Sequence, residues 1–357
     1  MKEAVVNHQL QSRIHDVDIP KPAPGQVLIK VVVSGSNPKD WKYPRFALPK
    51  GIYGNYGDDI AGYVAAVGED VLEFKPGDKV AAFHEVRAPH GSWAEYALAP
   101  GLSTFHLPEK ISLEEASTIP LAAGTAAVGL YQRLGLPLPW NPATRPIPLV
   151  IYGGATSVGA FAIKLARLSN IHPIITVAGN GIPFVETLID TTKGDTVVDY
   201  RHGDEAVRAG IRKAAGNNPI AYAFDAVSEG GSVENIFDVL EKKSSKVTTV
   251  LRVDQDKIPS GIEHVFTYVG TVHKAPSQPG AVLGDAEFGH VIYRFLARGL
   301  AQGWFSGHPY EVVPGGLNGI EAVLRNLESG KASAVKYVVR IAETAGVSEP
   351  SRNQVNE

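Results

Sequence analysis

The residues best suited to chemistry lie in Leu149-Val-Ile-Tyr-Gly-Gly-Ala-Thr-Ser-Val-Gly159. An apolar run meets a glycine-rich turn, and a helix-like stretch follows. Gly153 and Gly154 can take positive φ and let a ligand approach the backbone. Ala155, Thr156, Ser157 and Val158 lead into the helix, where hydroxyls and first-turn N–H groups attract a diphosphate. Gly159 lets helix and strand pack closely. Thr156 stands where G-x-G-x-x-G has a central glycine, so by itself the turn also suits a plain strand–helix connection. In a β–α–β setting it predicts dinucleotide binding.

The end of the next strand bears on which dinucleotide. An NAD site places Asp or Glu there to hold the ribose 2′-OH. This chain reads Thr176-Val-Ala-Gly179-Asn180-Gly181, with no acid before Glu186. A missing anion admits a 2′-phosphate, so NADP(H) is the expected cofactor. Asn180, Tyr200 and Arg201 are the candidate donors, with Tyr200 equally readable as packing. Leu251 and Val269 follow later strands and are expected near the nicotinamide, although apolar strand ends are also ordinary core.

These residues need a scaffold, and the chain has two textures. Up to about residue 120, short β-type runs at 27–33, 60–67, 79–83 and 93–98 alternate with Gly/Pro turns, which suggests a β-rich, barrel-like domain. Beyond it, apolar strands at 149–152, 173–177, 197–199, 221–225, 247–251 and 265–270 alternate with helical stretches at 158–169, 183–192, 204–215 and 233–242. That rhythm means a parallel sheet covered by helices, an α/β doubly wound fold. A last β–α–β stretch from about residue 304 is too short for its own core and is expected to return to the first domain. The boundaries predicted are 1–122, 123–303 and 304–357. Residues 136–148 carry five prolines, read as a stiff surface loop or as a loop shaping the cleft between domains.

The 357 residues have net charge −3 and no cysteine. The charge gives no footprint for nucleic acid or an anionic membrane. Absence of cysteine removes disulfides, thiolate metal sites and a cysteine nucleophile, and fits a cytoplasmic protein. The first residues lack an apolar signal core, and no run approaches the ~20 residues needed to span a bilayer.

Pieces along nearly the whole chain resemble the zinc-independent branch of the medium-chain dehydrogenases/reductases, the quinone oxidoreductases and enoyl reductases. They include Pro24-Gly-Gln-Val-Leu-Ile-Lys30, Asn37-Pro-Lys-Asp-Trp-Lys42, Gly57-Asp-Asp-Ile-Ala-Gly62, Phe74-Lys-Pro-Gly-Asp-Lys-Val80, Gly91-Ser-Trp-Ala-Glu-Tyr96 and the glycine-rich turn. Leu134-Gly-Leu-Pro-Leu-Pro139 and His308-Pro-Tyr-Glu-Val-Val-Pro-Gly-Gly316 resemble fungal trans-acting enoyl reductases. The resemblance implies a GroES-like substrate domain made of both chain ends, a Rossmann domain between them, and NADPH hydride transfer in the cleft. Zinc-dependent relatives carry Gly-His-Glu where this chain has Gly57-Asp58-Asp59, and a Cys near Pro38. No metal is therefore expected, and His84 and His90 are read as ordinary surface or packing residues.

By the same resemblance Lys39 and Asp40 belong to the nicotinamide side. Lys42 is the candidate proton donor or thioester anchor. Thr125 touches the nicotinamide amide or else caps a helix, and Tyr337 and Val338 pass near the cofactor. Physically, a cationic amine in a dry cleft can stabilise an enolate and give up a proton. Asp40 is read as ordering a turn. The expected activity is NADPH-dependent, metal-free reduction of an activated C=C in an enone, quinone or enoyl thioester. The alternatives are an NADP-dependent alcohol/carbonyl dehydrogenase and a non-catalytic dinucleotide-binding module. The expected partner is a small-molecule substrate, with a carrier-protein thioester and a homodimer both compatible with the sequence.

Overall fold

Gly/Pro punctuation and apolar runs resolve into two compact units in the computed structural model, which describes residues 1–275 and 284–347. One unit is Met1–Gly124 with the described residues from Gly270 onward; the other is Thr125–Val269.

The first unit opens with β1 (Lys2–Val6) and β2 (Ser12–Asp16), an antiparallel pair in a stretch where sequence gave no strand signal. Next come β3 (Gln26–Gly35), β4 (Asp59–Val67), β5 (Lys79–Phe83), β6 (Tyr96–Pro100) and β7 (Thr104–His106). Buried Val27, Ile29 and Val31 on β3 meet Ile60, Val64 and Val80, the alternation expected of a half-buried sheet. The strand expected at 93–98 begins later. Trp93 is instead buried beneath β1, its carbonyl accepting from Ala4 N–H at 2.8 Å.

The second unit holds β8 (Leu149–Tyr152), β9 (Ile174–Ala178), β10 (Thr196–Asp199), β11 (Tyr222–Asp225), β12 (Ser245–Thr249) and β13 (Ile262–Phe266). All pair in parallel in the order β10-β9-β8-β11-β12-β13, with the crossover at β8 characteristic of a doubly wound sheet. The last of these strands lies earlier than the 265–270 expected, because Val269–His273 closes into a 3₁₀ turn. The helix expected at 183–192 shortens to Ile182–Glu186.

The chain then returns to the first unit. Helix Ala286–Gln302 packs on β7 and the turn before it, so it groups with the β-rich unit. β14 (Tyr310–Val312) and β15 (Lys336–Arg340) complete a sheet ordered β14-β15-β3-β4-β5-β7, with β6 also on β3. Leu317, Ile320, Leu324, Tyr337 and Val339 from this return share one core with β3 and β4. Among the described residues, no helix is long and apolar enough to cross a membrane.

Candidate active site

In the second unit the glycine-rich turn is closed to side chains. Gly153 has φ +84°, and a Cβ there would stand 2.4 Å from Val227 Cγ2. At Gly154 it would meet Thr176 Oγ1 at 2.0 Å, and at Gly159 the carbonyl oxygen of Gly153 at 2.2 Å. Thr156 caps helix Ser157–Leu168 by accepting from Gly159 N–H at 3.0 Å, and its hydroxyl donates to Gly153 O at 2.8 Å. That hydroxyl, expected to serve a ligand, therefore shapes the turn. The first bond inside the helix runs from Ala160 N–H to Thr156 O, so the N–H groups of Ser157 and Val158 have no partner within it. A glycine cradle before a twelve-residue helix fits a diphosphate, whose oxygens accept from such groups.

No acid stands at the carboxyl end of β9. Gly179 packs under the Tyr200 ring, which a Cβ would approach to 2.5 Å, so Tyr200 needs the glycine. Arg201 reaches back, its Nη1 donating to Asn180 Oδ1 at 3.1 Å. It also forks onto Asp199, at 2.9 Å to Oδ1 and 2.6 Å to Oδ2. Those bonds hold the Asp199 carboxyl down to about 2. A guanidinium thus stands beside Asn180, bringing two of the three candidate donors together. Leu251 is half-buried just past β12, and Val269 is buried at the head of its 3₁₀ turn. Thr125 is buried inside helix Pro120–Ala127 and does not open it, which removes the capping alternative.

In the first unit, Asn37-Pro-Lys-Asp-Trp-Lys42 forms more than a turn. Asp40 Oδ2 accepts from Asn37 N–H at 2.8 Å and starts helix Lys39–Ala47. Lys42 sits half-buried in its first turn, with Nζ 5.6 Å from the Trp41 ring centroid. Lys39 turns elsewhere. Its ammonium lies 2.6 Å from Asp58 Oδ2, 2.9 Å from Asp40 Oδ1 and 2.6 Å from the Tyr56 carbonyl oxygen. Burial works to lower the Lys39 pKa, but the two carboxylates outweigh it and hold the amine protonated. Burial, with Asp58 nearby, pushes Asp40 up to about 6 against the pull of Lys39. Asp58 is itself buried, yet Lys39 and His84 keep its carboxyl below the usual range. His84 bridges from Asp58 Oδ1 at 3.0 Å to Pro89 O at 3.1 Å. A residue that the sequence marked as ordinary surface or packing is thus buried against the Asp58 carboxylate.

Asn37 links these buried charges to a second set. Lys336 Nζ, on β15, is 2.6 Å from Asp59 Oδ2 and 2.9 Å from Asn37 Oδ1. Asn37 Nδ2 donates to Asp59 Oδ2 at 2.7 Å, and Leu121 N–H to Asp59 Oδ1 at 2.7 Å. Lys336 was legible only as a strand residue. Its neighbours Tyr337 and Val338 are 3% and 0% exposed, so their side chains serve the core, and the Tyr337 carbonyl accepts from Ser36. Among the described residues, no group of three or more His, Asp or Glu gathers as a metal site.

Residues 23–109 match the family described as the alcohol dehydrogenase GroES-like domain. The chain is 44% identical to the trans-enoyl reductase fsr4 of Gibberella fujikuroi, over 89% of this chain and 92% of that one. The CurK enoyl reductase structure shares the fold with TM-score 0.75 at 18% identity, covering 95% of this chain and 98% of that one. A mycobacterial protein solved in complex with NADPH shares it with TM-score 0.73 at 18% identity, covering 95% and 99%. The glycine cradle on a doubly wound sheet, the two-ended β-rich unit and this identity along the chain agree: it belongs to the trans-enoyl reductases of the medium-chain dehydrogenase/reductase superfamily.

Proposed function

We propose that this oxidoreductase uses NADPH, without a metal, to reduce the C=C of an α,β-unsaturated carbonyl compound. The observation that carries the reading is Asp58. It stands in Gly57-Asp58-Asp59, and its cation is the Lys39 ammonium at 2.6 Å. Alcohol oxidation needs a route to the alkoxide, which a Lewis acid commonly supplies. Conjugate reduction needs only hydride addition, charge stabilisation at the carbonyl oxygen and a proton.

The reduced nicotinamide, when bound, supplies the hydride. The chain's residues do the rest. The turn Gly153–Gly159 binds the diphosphate through backbone N–H groups. Asn180 and Arg201 receive the 2′-phosphate. Lys42 meets the negative charge that collects on the substrate carbonyl oxygen and provides a proton to the enolate. Lys39 and Asp40 hold the helix that carries Lys42 rather than touching the cofactor. Names of relatives favour an enoyl thioester over a quinone, and a carrier-borne thioester is compatible.

The direct test is NADPH oxidation with a simple enoyl thioester as acceptor and identification of the product. The saturated thioester is expected; exclusive formation of an alcohol would sink the reading. Incubation with chelator should leave this activity intact. One tightly held zinc per chain, removed together with activity, would contradict the role given to Lys39. For the cofactor, Asn180→Asp places a carboxylate at the 2′-phosphate and should weaken NADPH at least tenfold, about 1.4 kcal/mol, while sparing NADH. Fluorescence titration of both nucleotides decides it, and equal losses for the two would remove Asn180 from that subsite.

A further inference from the structure

A groove of about 500 Å³ opens on the second unit, among Arg145, Asn170, His172, Lys193 and Asn218. Its lining comes from the segments entering β8, β9, β10 and β11, at the amino ends of the parallel strands. The glycine-rich turn follows the carboxyl end of β8, so the groove and the dinucleotide turn occupy opposite ends of one sheet.

Its base is built rather than incidental. His172 is 8% exposed. Its Nδ1 is 2.7 Å from Asp195 Oδ1, and that carboxylate is buried. Asp195 also accepts from Ile174 N–H at 2.8 Å and, at Oδ2, from Asp190 N–H at 2.9 Å, so its orientation is fixed by backbone. A carboxylate on Nδ1 fixes the orientation of the imidazole at the groove. One wall is the proline-rich loop, whose stiffness is anchored by Ala143 N–H on Ser169 O and Ile147 N–H on His172 O, each at 2.8 Å. Asn170 ties that loop to the facing cation: its Nδ2 donates to Ala143 O and its Oδ1 accepts from Lys193 Nζ, each at 2.8 Å.

We infer that this groove is a second ligand site, taking a small oxyanion-bearing molecule, phosphate or polycarboxylate, between Arg145 and Lys193 and beside the His172 ring. None of the lining residues is acidic. Two carboxylates bonded into this base are engaged: Asp195 on His172 Nδ1, and Asp190 Oδ1, which accepts from the N–H and hydroxyl of Thr192. Arginine supplies a planar fork, lysine a point charge and the amides neutral donors, the usual grammar of oxyanion recognition. The volume suits a metabolite-sized ligand. The loop that the sequence marked as stiff thus acquires a purpose on the second unit alone, and the inference does not depend on which substrate is reduced.

The test uses the full-length protein with inorganic pyrophosphate and citrate as probes, NADPH being held at saturation so that the dinucleotide turn is filled. Calorimetry should give saturable binding, and the ring signals of His172, assigned with His172→Gln, should shift along the same isotherm. Arg145→Ala and Lys193→Ala should each weaken the probe about tenfold or more while leaving NADPH affinity unchanged. Pyrophosphate binding without citrate assigns a phosphate ligand; the converse assigns a carboxylate. Absence of saturation by 10 mM of either probe, or equal binding by wild type and both variants, overturns the inference. Neither outcome would bear on Lys42 or on C=C reduction.

Discussion

Lys336→Met should cost about 3–5 kcal/mol of stability, because it leaves the Asp59 carboxylate buried without its cation. Asp59 is 0% exposed, and its Oδ2 accepts from both Lys336 and Asn37. Methionine fills the lysine stem's volume, so packing loss is small and the orphaned charge dominates. The double variant Lys336→Met/Asp59→Asn removes both charges and should recover much of the loss, since the penalty comes from one partner left alone. Urea unfolding of wild type, single and double variants measures this directly. A single variant as stable as wild type, or a double variant worse than the single, would show that the pair is not what holds β15 to β4.

Lys42→Ala should lower kcat by ~10²–10³, the usual cost of losing one oxyanion-stabilising donor, while NADPH affinity stays within a factor of two or so. Lys42 sits one turn from Lys39, whose surroundings suit a different task. Lys39 is held between Asp40 and Asp58, which keep its proton in place. It is therefore a poor donor and a good anchor. Lys42→Arg retains a cation but cannot give up a proton at neutral pH. If charge stabilisation dominates, Lys42→Arg should recover part of the lost turnover; if proton delivery dominates, it should remain as slow as Lys42→Ala. Steady-state kinetics with a simple enoyl thioester, alongside NADPH titration of each variant, separates these cases. Unchanged kcat in Lys42→Ala removes the lysine from the mechanism, and a loss confined to NADPH affinity makes it a cofactor ligand.

The parallel sheet was legible because its inner strands β9, β8, β11 and β12 are largely buried and bounded by Gly, Pro and helical periodicity. Helix Asp204–Ala215 lies where its spacing put it, with Val207, Ile211 and Ala215 inward. β1 and β2 were not legible: Lys2–Val6 and Ser12–Asp16 pair through charged and apolar residues with no run long enough to stand out. The helix Lys39–Ala47 escaped notice because Pro38 and Pro44 flank and interrupt it, and a side-chain bond from Asp40 initiates it. The glycine turn could be read in the chain because close backbone approach demands residues without side chains. The buried charges could not. Lys39, Asp58, His84 and Lys336 look like surface residues until partners far along the chain are brought to them. Lys336 and Asp59 are 277 positions apart, and no local pattern records such a pairing.

That separation also sets an order of assembly during synthesis. The second unit is one uninterrupted stretch and can acquire its sheet as soon as residue 269 clears the ribosome. The β-rich unit cannot, since β15 lies between β14 and β3 and its lysine neutralises a carboxylate made much earlier. Until that strand emerges, β3 exposes an edge that could pair with another chain. The nascent β-rich half is thus the segment a chaperone would have to shield, and slow elongation through residues 270–336 would prolong its exposure.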